Sequence, residues 1–387
     1  MTKPVSGALA LLVPILLTGC GPSRTTAVPP NTATNQPSPP RLERIDMMST
    51  QSGWALSTTT LYHTQDGGTR WIRVQVLPLP SERLMPAQFA FVDPMQAVMV
   101  YTEPNGSIVQ EETFDGGRSW MRHTIVSPFG QHGGSPVPTQ VIFQNPQRGW
   151  LVLAPIQGMN SSTGALLTTT NGGAVWTVVI KNTLKTPPLG RALITFTNPT
   201  HGWLMASQSS TTPVTLYRTT DSGAQWQSQA PWILPSQNAP LIPPFQFGQQ
   251  VILPSIQTSP TGIVKGLTLK RSETGGATWV SNPDPTILPA ILNNEDQWVR
   301  PDFVSLTTGW AAGPTGLLHT RDGGRHWAIQ HLNPKGTKLP PTAAIQAIQF
   351  FSTRSGEVFL ATKDFRQEWL LTTANGGTKW HVVFKKR

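Results

Sequence analysis

From about residue 42 onward the chain alternates short apolar stretches with turns rich in Gly, Asn, Asp and Pro. In Val141–Leu153 and in Ile194–Ala206, an Asn-Pro turn separates two apolar runs, and Gly-Trp opens the second run. Apolar runs bounded by such turns predict pairs of antiparallel strands. The same shape recurs around Trp54 and Trp310. The pattern therefore predicts an all-β chain.

A second pattern, Ser/Thr-x-Asp-x-Gly-x-x-Trp, occurs seven times with small substitutions, and we call it the turn motif. Asp66 of the first copy is expected to accept hydrogen bonds from turn amides, while Gly67 and Gly68 adopt conformations closed to other residues. Successive closing tryptophans are 48 to 56 residues apart, and such even spacing indicates a repeat architecture. The copies are Thr64 to Trp71, Thr113 to Trp120, Thr169 to Trp176, Thr219 to Trp226, Ser272 to Trp279, Thr320 to Trp327 and Thr373 to Trp380.

The acidic position of the motif is occupied by Asn171, Thr274 and Asn375 in three copies. These residues keep a side-chain oxygen and lose the negative charge, so hydrogen bonding is what the position retains. We therefore predict a structural role for the motif, not a catalytic or metal-binding one. The predicted structural residues are Asp66, Trp71, Asp115, Trp120, Asn171, Trp176, Asp221, Trp226, Thr274, Trp279, Asp322, Trp327, Asn375 and Trp380.

Each repeat unit predicts four strands: one before the Asn-Pro turn, the Gly-Trp strand, one entering the turn motif and one leaving it. Seven such units predict a seven-bladed β-propeller of four-stranded antiparallel blades over residues 41–387. The first unit starts near Leu42 and the last ends at Phe384. The ring is therefore expected to close by packing of its first blade against its seventh, without mixing strands from the two termini.

The N-terminus predicts export. One positive charge at Lys3 precedes an apolar run from Val5 to Leu17, which is typical of a signal peptide core. The run ends in Leu17-Thr18-Gly19-Cys20, which resembles the bacterial lipobox, and Cys20 is the single cysteine of the chain. We therefore expect a lipoprotein signal peptide at 1–19 and lipidation at Cys20, with an unmodified cysteine as the alternative. Residues 20–40 are rich in Pro, Thr, Ser and Asn and are expected to form a disordered tether to the bacterial cell membrane.

The net charge of the chain indicates little about which partners it binds. The chain has 29 Lys and Arg against 19 Asp and Glu, a net charge of +10. This balance favours anionic partners such as lipid headgroups or envelope polymers, although scattered charges are equally typical of a solvated surface. No motif indicates a nucleic-acid partner, a cofactor or a metal site, since no His, Cys or Asp cluster has metal-ligand spacing.

The turn motifs resemble the BNR, or Asp-box, repeats of sialidases, some glycan hydrolases, sortilin-type receptors and bacterial photosystem II assembly and stability factor-like proteins. The pairing of Gly-Trp with Thr-x-Asp-Gly-Gly-x-x-Trp is most similar to the last group. This resemblance implies a propeller over residues 42–384. It leaves function open, because the same repeat serves hydrolases, receptors and assembly scaffolds.

Two enzyme activities would each need particular residues. A sialidase places an arginine in a Phe/Tyr-Arg-Ile/Leu-Pro motif and uses a tyrosine nucleophile, but here Arg44-Ile45 lacks the proline. The available tyrosines, Tyr62, Tyr101 and Tyr217, lie in or beside strands. Other glycosidases need two facing carboxylates, for which Glu295-Asp296 is the most suggestive pair. A non-catalytic role is the preferred prediction.

Three tryptophans are not required by the repeat: Trp232, Trp298 and Trp369. They are expected at the end of the propeller opposite the turn motifs, where aromatic and arginine groups favour protein or glycan contacts. The alternative is that each ring only fixes its loop onto the blades. The full candidate binding face comprises Trp232, Asp296, Trp298, Arg300, Phe365, Arg366 and Trp369.

These observations favour an extracytoplasmic lipoprotein whose propeller binds a protein, in the assembly or maintenance of an envelope complex. The alternative is a glycan-binding or glycoside-hydrolysing, sialidase-like surface protein.

Overall fold

The computed structural model describes residues 24–25, 41–76, 87–129, 136–155, 164–181, 187–189, 191–207, 214–229, 241–258, 264–281, 300–313 and 316–386. They form a seven-bladed β-propeller of four-stranded antiparallel blades, as the sequence predicts. In every blade the strands follow one another in chain order. First strands of neighbouring blades contact one another, so the first strand lies on the inside of the ring. No helix in the described ranges is long and apolar enough to cross a membrane.

In each blade the first strand lies nearest the ring axis and the fourth strand lies outermost. Those of blade 1 are Leu42–Met47, Gly53–Ser57, Thr60–Thr64 and Ile72–Val76. Those of blade 2 are Gln88–Phe91, Ala97–Thr102, Ile108–Thr113 and Trp120–Ile125. Those of blade 3 are Pro136–Phe143, Gly149–Pro155, Ala165–Thr169 and Thr177–Lys181. Those of blade 4 are Arg191–Phe196, Gly202–Ser207, Thr215–Thr219 and Gln227–Ser228.

The remaining blades repeat this order. Blade 5 contains Phe245–Phe247, Gln250–Thr258, Val264–Ser272 and Val280–Ser281. Blade 6 contains Arg300–Phe303, Gly309–Gly313, Gly316–Thr320 and Ala328–Gln330. Blade 7 contains Ala343–Phe350, Gly356–Thr362, Glu368–Thr373 and His381–Lys386.

Most of the N-terminal segment, including the expected signal peptide at 1–19 and Cys20, lies outside the described residues. One part of the expected tether is described: Arg24–Thr25 forms a two-residue strand that pairs antiparallel with Trp120 and Met121 at the outer edge of blade 2. This pairing differs from the disordered tether that composition predicts for residues 20–40, because an edge strand offers unpaired backbone groups to any extended segment.

The turn motif has the same hydrogen bonds in all seven blades. In blade 1 the Gly68 amide donates to Thr64 Oγ1 at 3.0 Å, and the Arg70 amide donates to Asp66 Oδ1 at 2.8 Å. The second of these bonds is made equally by Asn and Thr: Val175 donates to Asn171 Oδ1 at 2.9 Å, and Thr278 donates to Thr274 Oγ1 at 2.8 Å. The position therefore needs an acceptor oxygen and not a charge.

The last glycine of each turn motif also forms a contact between blades. Gly173 has φ +96°, and a Cβ atom built there would lie 2.1 Å from Gln110 Oε1 of the preceding blade. The equivalent Cβ on Gly276 would lie 2.2 Å from the Trp203 ring. A larger residue would thus meet both an unfavourable backbone conformation and a steric clash. The turn motif fixes the position of the neighbouring blade as well as its own hairpin.

Aromatic stacking joins several blades. Trp150, on the second strand of blade 3, stacks on Phe196, on the first strand of blade 4, with ring centroids 3.6 Å apart. Trp310 and Phe350 repeat this stack between blades 6 and 7 at 3.5 Å. The motif tryptophans then pack edge-on against the same phenylalanines, as Trp226 does on Phe196 at 6.0 Å. Tryptophans of both repeat patterns therefore form part of the core between blades.

The ring closes between blade 7 and blade 1 by side-chain packing, with each terminal blade complete in itself, as predicted. Gln349 of blade 7 reaches across to the Met47 backbone: its Nε2 donates to the carbonyl at 2.7 Å, and its Oε1 accepts from the amide at 3.0 Å. Gln140 makes the same pair of bonds to Ile194 between blades 3 and 4. The closing contact thus reuses an interaction found elsewhere in the ring.

The hydrogen-bonding role of the motif acid is testable at Asp221, whose Oδ1 accepts from the Gln225 amide at 2.9 Å. Asp221→Ala should lower the free energy of unfolding by about 1 kcal/mol, because the amide loses its acceptor. Asp221→Asn should change it by less than about 0.5 kcal/mol, since Asn accepts the same bond. Urea denaturation of both variants gives the comparison. An equal loss in the two variants would contradict the role of the acceptor oxygen.

The stacking between blades is testable at Trp150, which is fully buried. Trp150→Ala should lower the free energy of unfolding by about 3–5 kcal/mol, because a large aromatic side chain leaves the core. Phe114→Ala is the control: Phe114 is 48% exposed, and its loss should cost less than about 0.5 kcal/mol. Thermal and urea unfolding measure both. Similar effects for the two variants would show that stacking does not hold the blades together.

Candidate functional site

The two ends of the propeller differ in how strictly they repeat. At one end, every turn motif lies against the turn between the first and second strands: Gly67 donates to Gln51 O at 2.7 Å, and Gly376 donates to Arg354 O at 2.7 Å. We call this the turn end. The loops between second and third strands and the links between blades lie at the other end, which we call the loop end. Sequence variation between blades concentrates there, so the loop end is where a binding site is expected.

The structure brings together only part of the predicted binding face. Trp232, Asp296 and Trp298 lie outside the described residues. The main chain of Arg300 begins the first strand of blade 6, opposite Ala312. Phe365 and Arg366 lie together in the loop between the second and third strands of blade 7, at the loop end as predicted.

Trp369 has a different environment from the one expected of a binding residue. Its side chain is 1% exposed and belongs to the core cluster between blades 6 and 7, with Trp310 and Phe350. Trp369 lies inside the third strand of blade 7, opposite Leu360, and alternation along that strand directs it toward blade 6. Trp369 therefore has a packing role, which is the alternative prediction for these tryptophans.

The blade 7 loop is ordered by its own hydrogen bonds. Thr362 is the hub: its amide donates to Gln367 O at 3.0 Å, its carbonyl accepts from Phe365 N at 2.8 Å, and its hydroxyl donates to Asp364 Oδ1 at 2.6 Å. Phe365 has φ +52°, a left-handed conformation that is uncommon for an aromatic residue. A loop fixed in this way presents its side chains with little conformational freedom to lose on binding.

Phe365 connects this loop to the start of the propeller. The Arg41 guanidinium lies over the Phe365 ring, 3.7 Å from its centroid, which is cation–π geometry. Sequence reasoning missed this contact, and no local pattern could have shown it. Ring closure alone brings the residue before the first strand of blade 1 to a loop of blade 7.

An open cavity of about 630 Å³ lies beside the loop. That volume falls in the range of small-molecule sites. Arg366 Nε is 3.4 Å from Asp364 Oδ2, and both side chains are largely exposed. The Thr362 hydroxyl, followed by the Arg366 amide, holds the pKa of Asp364 below its ordinary value, so the carboxylate is charged at neutral pH. The lining residues are Thr342, Thr362, Lys363, Asp364, Arg366 and Gln367.

A tyrosine, a glutamate and an arginine do meet in blade 2, the residue types that a sialidase uses. Tyr101 OH donates to Glu111 Oε1 at 2.8 Å, and Arg122 Nη1 donates to Tyr101 OH at 3.2 Å. Burial, and then the bond to Glu111, raise the pKa of Tyr101, whereas a nucleophilic tyrosine needs a lowered one. Tyr101 and Glu111 are each 8% exposed. The cluster packs blade 2 against Gln75 of blade 1, which donates to Glu111 at 3.0 Å.

Other buried acids among the described residues serve contacts between blades or between strands of one blade. Asp302 of blade 6 accepts from the Phe350 amide of blade 7 at 2.6 Å, and burial raises its pKa to about 6. Glu112 lies 3.0 Å from His123, and both are largely buried. Glu295 and Asp296 lie outside the described residues. Within the described ranges no group of three His, Cys, Asp or Glu side chains is arranged to bind a metal ion.

No protein-family model and no curated protein sequence matches the chain. Solved structures do resemble it. The GH74 xyloglucanase from Xanthomonas campestris aligns with a TM-score of 0.54 and 13% identity, over 94% of this chain and 56% of that one. A prolyl endopeptidase structure aligns with a TM-score of 0.54 and 10% identity, over 89% of this chain and 50% of that one. This chain spans about half the length of these two proteins, and at such identities the similarity shows the propeller fold alone.

Proposed function

We propose that the protein is a non-catalytic, lipid-anchored extracytoplasmic protein whose propeller binds a protein partner through its loop end. The observation that carries this proposal is the ordered blade 7 loop and the open cavity beside it. The turn end is uniform around the ring, whereas this part of the loop end departs from the repeat. The partner is proposed to belong to an envelope complex that the protein helps to assemble or maintain.

Anchoring is proposed from the sequence of the N-terminal segment. Leu17-Thr18-Gly19-Cys20 follows an apolar run, and a diacylated cysteine at that place would secure the propeller to the membrane surface. Three residues separate Cys20 from Arg24, which pairs with the outer edge of blade 2, so a lipid on Cys20 would hold the propeller close to the membrane surface.

A binding role is favoured over catalysis by the environment of the described acids and tyrosines. Tyr101 donates a hydrogen bond from a protonated phenol, and Asp302 and Glu112 are held in contacts between blades or strands. The cavity presents two cations, Lys363 and Arg366, beside one carboxylate, Asp364. Such a mixed and rigid polar surface suits recognition of a complementary protein surface.

Glycan binding or hydrolysis is the second candidate. The cavity favours it through hydroxyl and amide groups, Thr342, Thr362 and Gln367, that suit hydrogen bonding to a sugar. The xyloglucanase and the prolyl endopeptidase act on different kinds of polymer, so the shared fold assigns neither activity to this chain.

The binding proposal is tested by crosslinking in the native membrane. Lys363→Ala with Arg366→Ala should lower recovery of the crosslinked partner roughly tenfold, because two exposed cations leave the contact surface. Lys379→Ala is the matched control: Lys379 is an exposed cation of the same blade at the turn end, and recovery should not change. Equal recovery from all proteins would contradict the proposed site. Turnover of a glycoside, or binding on a glycan array that the double variant loses, would favour the second candidate.

The anchoring proposal is tested separately by fractionation of cells. Cys20→Ser should move the protein from the membrane fraction to the soluble fraction, because a serine cannot accept the thioether-linked lipid. Ser23→Ala, three residues further on, should leave it in the membrane. Membrane recovery of the Cys20→Ser protein equal to that of the wild type would show that another feature attaches it.

A further inference from the structure

The contact between blade 7 and blade 1, which we call the seam, differs from the other contacts around the ring. Six blades carry an apolar side chain that faces the next blade at the position equivalent to the tryptophan of Gly-Trp. In blade 7 this position is Glu357, so the seam lacks the aromatic stack that Trp310 and Phe350 make one blade earlier. The apolar residues are Trp54, Val98, Trp150, Trp203, Ile252 and Trp310.

Glu357 points into the seam. Phe359, two residues further along the same strand, packs in the core cluster shared by blades 7 and 1, while Val358 packs toward blade 6. Alternation along the strand therefore directs Glu357 toward blade 1. The residue is 3% exposed, and its Oε1 has no hydrogen-bond partner among the described residues. A buried, unpartnered carboxyl oxygen disfavours the closed seam.

The seam has a second buried acid at the loop end. Glu368 is fully buried; its Oε1 accepts from the Leu42 amide of blade 1 at 3.2 Å and lies 3.3 Å from Lys386 Nζ. Its Oε2 has no partner among the described residues. The seam thus contains two carboxyl groups, and only Glu368 has a cation beside it.

The other titratable and charged groups at the seam do not neutralise Glu357. On blade 1, Arg41 stacks on Phe365 at the loop end, and Asp66 pairs with Arg70 at 2.8 Å in the turn motif. Tyr62 lies in the shared core cluster, where burial raises its pKa. On blade 7, Gln349 and Thr372, which are uncharged, lie opposite Glu357 on the flanking strands, and His381, opposite Thr372 on the fourth strand, is exposed to solvent.

We infer that the ring opens preferentially at the seam, and that the buried carboxyl of Glu357 makes this opening depend on pH. At the seam the two blades come from the first and the last described parts of the propeller sequence, a carboxyl group replaces the apolar side chain of the other six contacts, and two buried carboxyl oxygens lack partners among the described residues. Burial alone raises the pKa of Glu357 to about 8. At neutral pH the closed seam therefore encloses a neutral carboxyl group.

The direction of the effect follows from proton linkage. The closed seam favours the protonated acid, whereas an opened seam exposes Glu357 to water, where its pKa returns to the ordinary value of 4.5. Closure is therefore most stable below pH 4.5 and weakens as pH rises to about 8. Between these values opening releases one proton, so its equilibrium constant rises by up to about tenfold per pH unit.

Hydrogen exchange at two matched amides tests the inference in the full-length protein. The Met47 amide bonds to Gln349 Oε1 across the seam at 3.0 Å, and the Ile194 amide bonds to Gln140 Oε1 between blades 3 and 4 at 2.8 Å. After correction for intrinsic exchange, the protection factor of Met47 should fall by up to about tenfold per unit from about pH 5.5 to 7.5. That of Ile194 should change less than about twofold. Parallel behaviour of the two amides would overturn the inference.

Substitutions assign the pH dependence to one residue. Glu357→Gln should make the protection of Met47 independent of pH, because the amide mimics the neutral acid; Glu357→Met serves the same purpose if the first variant does not fold. Glu43→Gln, which changes an exposed acid on the first strand of blade 1, should keep the wild-type dependence. A dependence that survives in both Glu357 variants and disappears in Glu368→Gln would overturn the assignment to Glu357.

Discussion

Every blade of a closed ring must pack on both faces, and the rest of this structure depends on that constraint. A four-stranded sheet with one bare apolar face would not be stable in water, so each blade needs a neighbour on either side. The contact is specific as well as apolar. Trp150 stacks flat on Phe196, and Gln140 bonds to the backbone of the same strand. Orientation and spacing of successive blades are fixed together.

The turn motif contributes to this packing between blades as well as closing its own hairpin. Its first residue, Thr or Ser, and its Asp, Asn or Thr acceptor close the hairpin, but its last glycine lies directly against the preceding blade. At Gly276 the neighbour is the Trp203 ring, and at Gly68 it is Leu370 across the seam. One short sequence therefore forms the outer hairpin and positions the adjacent blade, which explains why the motif varies so little from blade to blade.

Residues that could bind a partner therefore lie at positions that do not pack one blade against the next. The turn end is occupied by paired turns around the ring, whereas the blade 7 loop builds its own hydrogen-bonded frame around Thr362. Ring closure brings Arg41 onto Phe365 beside the cavity. The same closure buries Glu357 and Glu368 of blade 7 at the seam, so blade 7 carries both the candidate binding loop and the proposed pH-dependent contact.

The sequence by itself determined the repeat, the number of blades and the structural role of the motif acids. These follow from local rules: alternation, glycine in turns, and a side-chain oxygen that Asn171 and Thr274 supply as well as Asp66 does. It also placed Phe365 and Arg366 at the loop end, because strand order fixes which loops share an end. Only the tertiary structure decided that Trp369 is a core residue, that Tyr101 is a buried hydrogen-bond donor, and that Glu357 faces the seam. The physical reason is that burial and partners depend on residues far apart in the chain, which meet only when the ring closes.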